Sequence, residues 1–370
     1  MKLTVERAPL LAALQRAKRT VERRNTIPIL SNLLLRPGAG ELTVTATDLD
    51  IEMVEIIKAE GALPGEGITV PAHTLADIVA KLPDGAQVQI EVSGDRGEAT
   101  IRAGRSRFKL QTLPAHEFPD LAEVKDGVRL SIVGSLLADA IARVEFAIST
   151  EETRYYLNGI YLHATAPPTK LRLVATDGHR LSLATLDCPT NIPGVIVPRK
   201  AVAELKRMAE AADKAEVALE VSSSKLAASF NGARFTTKLI DGTYPDYGRV
   251  IPLGNAKVAA LQAEDLAAAA DRVGTVASER GRAVKLTFSD AGLALDVTNP
   301  DSGTAHEEVD ATFAHEELAI GFNGKYLADL LRATLPDGDI EIALADPGSP
   351  TIFRRPSATE DLCVLMPMRV

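Results

Sequence analysis

Hydrophobic and polar residues along the chain follow two rhythms that recur together three times. The stretches "ITVPAHTLADIVAKLPDGAQVQIEV" from Ile68, "VIVPRKAVAELKRMAEAADKAEVALEV" from Val195 and "LAIGFNGKYLADLLRATLPDGDIEIAL" from Leu318 share one order. A short β-rich run leads into apolar residues at i, i+3, i+4 spacing, then a turn, then alternation. The first spacing predicts an amphipathic helix and the second a half-buried strand. The copies stand about 125 residues apart. Each copy opens with a further predicted helix, over residues 9 to about 21, 134 to about 148 and 263 to about 276. Strand, polar turn and strand recur as "TVTATDLDIEMV", "RLVATDGHRLSL" and "ALDVTNPDSGTAHEEV". "SRFKLQTLPAHEFPDL" matches "ARFTTKLIDGTYPDYGRVIP" through Phe108 with Phe235, then Phe118, Pro119, Asp120 with Tyr244, Pro245, Asp246. The pattern predicts an α+β chain of three similar tandem domains, 1–125, 126–252 and 253–370, each with two helices against antiparallel sheets. A repeat this long is an array of domains rather than a solenoid.

The charges follow the same repeat. In the second helix of each copy Lys200 and Lys325 are equivalent, as are Arg207 and Arg332, seven residues on. They share one face, opposite Val202 with Leu205 and Leu327 with Leu330. The first copy is weaker, with His73 at the place of Lys200 and Lys81 one residue out of register. In the first helices Arg16, Arg143 and Arg272 are equivalent. Glu204 and Glu210 intrude on the basic face. A basic face opposite an apolar one is ordinarily a solvated surface; its repetition in register suits a phosphate backbone, contacted without reading bases.

Composition narrows the classes. At 370 residues with 46% hydrophobic and 25% charged residues, the chain is long enough for two or three folded domains. Tryptophan is absent and aromatics make up 4%, so the cores are expected to be aliphatic. Cys188 and Cys363 are too few for a disulfide framework, and Cys363 in "DLCVLMPM" reads as a buried, inert strand thiol. The opening "MKLTVERAPLL" meets charge too soon for a signal peptide, and no apolar run reaches the roughly 18 residues of a membrane span. A cytoplasmic protein is expected. The net charge of −9 alone argues against nucleic acid, an objection that a localised basic face weakens.

"TDGHR", residues 176–180, sets an acid, an imidazole and a guanidinium around a glycine. As chemistry this lacks a nucleophile elbow. The six histidines form no zinc spacing, and neither a Walker loop nor a dinucleotide fingerprint occurs. Asp48 and Asp50 in "TDLDIE" are the nearest approach to a magnesium site, yet that stretch is the first copy of the same turn. No catalytic group, metal or cofactor is expected.

"YYLNG" (155–159), "VATDGHRL" (174–181), "VIVPRK" (195–200), "PDY" (245–247), "GFN..YL" (321–327) and the terminal "MPMR" (366–369) occur in order and span the chain. Together the sequence resembles the bacterial DNA polymerase III beta subunits, the sliding clamps. The resemblance implies a head-to-tail homodimer, a ring with helices lining the hole. It also implies a non-catalytic role in DNA replication, holding double-stranded DNA by topology and tethering polymerases. Implied partners are the DNA polymerase III alpha subunit, the clamp loader, and other polymerases and repair proteins carrying clamp-binding motifs. Ring closure would pair the edge strand 105–110 with one near 298–305, with Arg105, Phe108, Leu110 and Val276 at the contact; Gly303 and Thr304 stand where many relatives carry acids. Phosphates and sugars would meet Arg24, His73, Arg199, Lys200, Arg207, Lys325 and Arg332, with Tyr155 and Tyr156 near the rim unless these are ordinary strand aromatics.

The resemblance also turns "TDGHR" into a binding turn. It implies a pocket between domains two and three for a short linear motif. Its wall would be Arg154, Leu157, Thr176, Gly178, His179, Arg180 and Leu181. Pro245, Arg249 and Val250 come from the linker, Asn323 and Tyr326 from "GFNGKY", and Val364, Met366, Pro367, Met368 and Arg369 from the last strand. Gly348 would leave the second subsite roomier. Two other readings compete: a hydrolase using Asp177 and His179, and a protein scaffold that never touches DNA.

Overall fold

The computed structural model describes residues 2–370 except 24, 93–96, 122, 167–168, 278–282, 335–337 and 359. Among these, six α-helices form: α1 (Arg7–Ala17), α2 (Ala72–Ala80), α3 (Gly134–Glu145), α4 (Arg199–Ala212), α5 (Ala263–Gly274) and α6 (Gly324–Thr334). They pack in pairs, α1 on α2, α3 on α4 and α5 on α6. The buried faces are those the spacing predicts: Leu10, Ala13, Leu14 and Ala17 in α1; Val202, Leu205 and Ala209 in α4; Leu327, Leu330 and Leu331 in α6. Alanines in these stripes let paired helices approach closely. The first helices of each pair end sooner than predicted. Past Ala17, Glu145 and Gly274 the chain tightens into i→i+3 turns, such as Thr20 N–H to the Ala17 carbonyl at 3.1 Å.

Contacts divide the chain into two units. The first comprises Met1–Ile132 with Ala215–Lys238. It contains a four-stranded antiparallel sheet in the order Lys2–Glu6, Gln87–Val92, Glu98–Ala103, Ser106–Gln111. It also contains a nine-stranded sheet in which Ala233–Lys238 pairs with Ile51–Lys58. That ladder is why residues of the predicted second domain group with the first. The second unit comprises Val133–Lys214 with Leu239–Val370. Its nine-stranded sheet joins Arg180–Leu186 to Leu362–Leu365, and its four-stranded sheet runs Gly303–Val309, Gly292–Asn299, Ala283–Ser289, Leu318–Asn323. The cores are aliphatic around a few phenylalanines: Phe235, Phe288, Phe322 and Phe353 are the largest fully buried side chains. Cys363 is buried in the strand Leu362–Leu365, and desolvation pushes its thiol up to about 11. No helix among the described residues is long and apolar enough to cross a membrane.

Each of the three equivalent arginines is engaged by a carboxylate; Arg16 and Arg143 are partly buried, and Arg272 stays exposed. Arg16 grips Glu55 with Nε and Nη2 at 2.6 and 2.7 Å; Arg143 binds Asp361, and Arg272 binds Glu307 at 2.8 and 3.0 Å through Nε. Each lies in the last turn of its helix, where a cation also faces the helix dipole favourably. Helical periodicity places the Cα on the outer face, but an arginine is long enough to fold back onto a carboxylate of a neighbouring segment. Glu55 is 2% exposed, so its charge has no solvent to replace a lost partner. Replacing Arg16 by Ala is expected to cost roughly 2–3 kcal/mol, below the full cost of breaking a buried pair because Arg16 itself is half-exposed. Urea unfolding of Arg16→Ala beside the double variant Arg16→Ala/Glu55→Ala checks this, the double variant recovering part of the loss.

Candidate functional site

The turn "TDGHR" closes the hairpin between Leu171–Thr176 and Arg180–Leu186, with Thr176 opposite Leu181. Its side chains build the turn. The Thr176 hydroxyl donates to the Arg180 carbonyl at 2.7 Å and accepts from Gly178 N–H at 3.1 Å. Asp177 Oδ1 accepts from the amides of His179 and Arg180 at 2.9 and 3.0 Å. Gly178 has φ +89°, and a Cβ there would lie 2.6 Å from Arg154 Nη1. The glycine therefore serves both the left-handed backbone and the seating of Arg154, whose Nη1 donates to the Asp177 carbonyl at 3.3 Å. "TDLDI" of the first unit uses the same bonds. Thr47 bonds Ile51 O and Leu49 N–H at 2.8 and 3.0 Å, and Asp48 takes the amides of Asp50 and Ile51 at 3.0 and 2.7 Å.

Arg180 is a strut of this turn. Its Nε and Nη1 lie 3.0 Å from carboxylate oxygens of Asp177 and Asp329 respectively, and the side chain is 10% exposed. The guanidinium sits over the Tyr326 ring at 4.4 Å and the Phe146 ring at 5.1 Å. With both carboxylates engaged, its charge is spent inside the fold, unlike the outward polar group expected of it. Asn323 differs in the same way: its Oδ1 accepts from the amides of Lys325 and Tyr326 at 3.0 and 3.3 Å, capping α6. His179 is exposed and stacks on Tyr326 at 6.1 Å. Asp177 is occupied by two amides and a guanidinium, which leaves the hydrolase reading without an oriented base. No group of three metal-ligating side chains occurs among the described residues.

Strand Leu362–Leu365 then brings the terminal segment to the turn, pairing Leu181 with Val364. Met366 N–H donates to the His179 carbonyl at 2.9 Å and Met368 N–H to the Gly321 carbonyl at 2.7 Å. The second contact requires glycine, because a Cβ on Gly321 would lie 2.6 Å from the Met368 carbonyl oxygen. Leu157, Leu181 and Val364 share one apolar cluster with Val174, Leu183, Ile196, Tyr244, Ala343 and Ile352. Following Val364 in the chain, Met366 and Met368 are about two-fifths exposed, and Val250 is about half exposed. Pro245, Arg249 and Arg369 are exposed. Gly348 sits in an exposed turn held by Asp346, whose carboxylate accepts from the Ser349 hydroxyl and the Gly348 amide and so lies below its ordinary range. That turn joins the strands bearing Ala343 and Ile352 of the cluster.

Sequence reasoning missed Tyr244, Ile352, Asp329 and an aromatic column. Tyr161 stacks on Tyr244 at 4.7 Å and 4°, and on His163 at 4.8 Å. His163 Nδ1 lies 2.8 Å from the Ala164 carbonyl and Nε2 lies 2.9 Å from the Tyr247 hydroxyl. The one available signal was that all six tyrosines, 155, 156, 161, 244, 247 and 326, fall in segments feeding this region.

The residues expected against DNA divide. Arg24 lies outside the described residues. His73 is turned inward, its Nε2 3.1 Å from the Val21 carbonyl. Arg199, Lys200, Lys325 and Arg332 are exposed on α4 and α6, as is Arg207, which binds the buried Glu204. Glu204 therefore anchors a cation rather than lying on the surface as an intruding acid. Tyr155 is exposed and meets Tyr156 edge-on at 5.7 Å, on a 3-10 helix rather than a strand. Of the contact expected between copies, Arg105 is exposed, Phe108 and Val276 half-buried, and Leu110 buried beneath its own sheet. Residues 298–305 cover the end of the strand Gly292–Asn299, the turn after it and the start of the edge strand Gly303–Val309.

Burial lowers the His163 pKa below its ordinary 6.5, the Arg172 charge adding to the effect and the Ala164 carbonyl opposing it. The unfolded chain then takes up a proton before the folded chain does. The stability contributed by neutral His163 is complete above the ordinary value and lost as pH falls through the lowered one. Between about pH 7.5 and 5.5 the thermal midpoint is expected to fall more steeply for the parent chain than for His163→Gln. Parallel slopes would remove His163 from the account.

The N-terminal, central and C-terminal domain families of the DNA polymerase III beta subunit match residues 1–122, 131–246 and 248–369. The beta sliding clamp of Caulobacter vibrioides is 48% identical over 375 residues, covering all of both chains. Among solved structures, the C. crescentus beta sliding clamp has 48% identity and a TM-score of 0.95, covering 100% of this chain and 99% of that one. A sliding clamp from Bartonella birtlesii bound to griselimycin has 45% identity and a TM-score of 0.94, with full coverage of both chains.

Proposed function

Because this chain belongs to the DNA polymerase III beta subunit family, the beta sliding clamps, we propose that two copies close head to tail into a ring around double-stranded DNA and hold the replicative polymerase on it. Its three consecutive domains are clamp domains, for which we take the boundaries 1–125, 126–252 and 253–370. It acts in the cytoplasm, on the chromosome, as a processivity factor without chemistry of its own.

The observation that carries the ring is the fate of the sheet edges. In the two four-stranded sheets, the edge Lys2–Glu6 is bridged by Glu60 and the edge Leu318–Asn323 by Met368. The edges Ser106–Gln111 and Gly303–Val309 have no bridge among the described residues. Open edges invite pairing, and pairing these two between copies covers the open edge of both four-stranded sheets in each copy. Arg105 and Arg107 beside the first edge complement Glu308 on the second. Exposed Arg199, Lys200, Arg207, Lys325 and Arg332 then supply phosphate contacts loose enough for sliding, Glu204 tempering one of them.

The apolar cluster that Val364 joins, with exposed Met366 and Met368 following it in the chain, supports the second half of the reading. A floor of Leu157, Leu181 and Val364 takes apolar side chains of a short extended segment, and flexible methionines adapt to several such segments. The polymerase III alpha subunit, the clamp loader, other polymerases and repair proteins are the partners proposed. His179, Arg249 and Arg369 are the polar groups left outward to meet them.

Two outcomes are expected. The parent chain is a dimer at micromolar concentration by light scattering and is retained on nicked circular DNA but released on linearisation. Phe108→Asp, which puts an uncompensated charge into the contact, gives monomers that are retained on neither. A fully dimeric Phe108→Asp protein would falsify this interface. Deleting residues 366–370 is expected to abolish binding of a fluorescein-labelled peptide from the carboxyl terminus of the polymerase, while leaving the dimer intact. Undiminished anisotropy with the truncated protein would place the pocket elsewhere.

A further inference from the structure

The rim of the pocket includes a segment that no sheet holds. Between the isolated bridge at Ile240 and the strand Lys257–Gln262, the chain carries Pro245, Arg249 and Val250 on the outside. Its internal bonds are local: Asp246 caps the 3-10 helix Tyr247–Val250 by accepting from Gly248 N–H at 3.2 Å, and Arg249 N–H reaches the Asp246 carbonyl at 3.3 Å. Local bonds give the helix its shape; Tyr247 and Ile251 pack on the apolar cluster, and further along the segment Asn255 Nδ2 donates to the Ala343 and Pro350 carbonyls at 2.8 and 2.9 Å. Two aromatic contacts tie it to strand Gly159–Ala164: Tyr244 on Tyr161, and the Tyr247 hydroxyl on His163.

The second contact has a direction. His163 Nδ1 faces the Ala164 carbonyl, which only accepts, so Nδ1 carries the hydrogen. Nε2 then holds the lone pair, and the Tyr247 hydroxyl must donate to it. The groups around the ring favour this neutral form. Arg172 lies opposite on the neighbouring strand and opposes a second positive charge; the other titratable neighbours are the phenols of Tyr161 and Tyr247. The ring is thus a fixed acceptor at the base of the rim.

We infer that His163 is a positioning residue of the partner-binding pocket: by accepting the Tyr247 hydroxyl it holds the helix Tyr247–Val250 in place, so that Arg249 and Val250 meet the incoming segment in a set geometry. The inference rests on the pocket reading above. Freed from His163, the helix keeps its shape and the apolar packing of Tyr247 and Ile251, but loses the directed bond that fixes its orientation. A partner must then order it on binding, and the cost appears in affinity.

Three variants separate this role from simple packing. Tyr247→Phe removes only the donor, and His163→Phe removes the acceptor while keeping an aromatic face for Tyr161. His163→Gln returns an acceptor oxygen near the place of Nε2. In anisotropy titrations with the same labelled polymerase peptide, Tyr247→Phe and His163→Phe are expected to bind roughly 3–10-fold more weakly, the worth of one hydrogen bond. His163→Gln is expected to recover most of the loss. In nitrogen-15 spectra the unprotonated Nε2 of His163 is expected to shift in Tyr247→Phe, reporting the lost donor. Folded Tyr247→Phe protein that binds like the parent overturns the inference, and so does His163→Gln as weak as His163→Phe. The truncation of residues 366–370 keeps the two readings apart. If it abolishes binding while Tyr247→Phe leaves binding unchanged, only the role of His163 falls; if the parent chain binds no peptide, the pocket falls and this role with it.

Discussion

The second unit depends on one ladder. Residues 180–183 pair antiparallel with residues 362–365, about 180 positions later in the chain. Closing so long a loop is entropically expensive, and nothing local prepares it. Once made, it sets Val364 against Leu181, aligns the Met366 amide with the His179 carbonyl, and carries the chain on to Gly321. The apolar floor, the methionines following Val364 and the pinned terminal segment all follow from that register. A slip of one residue would carry Val364 to the face where Cys363 and Leu365 join the other core cluster, and bring those two to the floor.

Electrostatics in this protein is mostly internal. An acidic chain with basic helices suggests a surface division of charge, yet several of the cations that repeat in register are consumed by carboxylates. Arg16, Arg143 and Arg272 join helix ends to neighbouring segments, and Arg180 joins the turn to α6. The repeating cations of α4 and α6, Lys200, Arg207, Lys325 and Arg332, are exposed and make a modest set. That suits a protein whose hold on DNA comes from enclosure, because strong phosphate contacts would act as friction.

The sequence was most legible where its physics is local. Helix pairs, hairpins and the threefold repeat follow from periodicities of a few residues, and the hydrogen-bonded turn at residues 176–180 follows from Thr, Asp and Gly at fixed offsets. The carried-over pocket residues Leu157, Leu181 and Val364 do meet in one cluster. What stayed hidden were partners distant in sequence: Glu55 for Arg16, Asp329 for Arg180, Tyr247 for His163. Leu110, which the resemblance put at the contact between copies, is buried, and His73, outward by spacing, turns to the Val21 carbonyl. Periodicity assigns a side to a backbone position; the reach of a long side chain can reverse it.

The twin turns carry an evolutionary consequence. Residues 47–51 and 176–180 use the same hydrogen bonds, and each places its third residue in left-handed backbone: Leu49 at φ +80° and Gly178 at φ +89°. The two copies therefore share a scaffold, set by Thr and Asp, while the last three of the five residues differ. Where the side chain is missing, a guanidinium from elsewhere in the chain fills the vacancy; in the sister copy the leucine keeps its own branch there, 40% exposed. At Gly178 even a β-carbon would displace the guanidinium, so new capacity in a duplicated domain need not begin with gaining a group. It can begin with the loss of one.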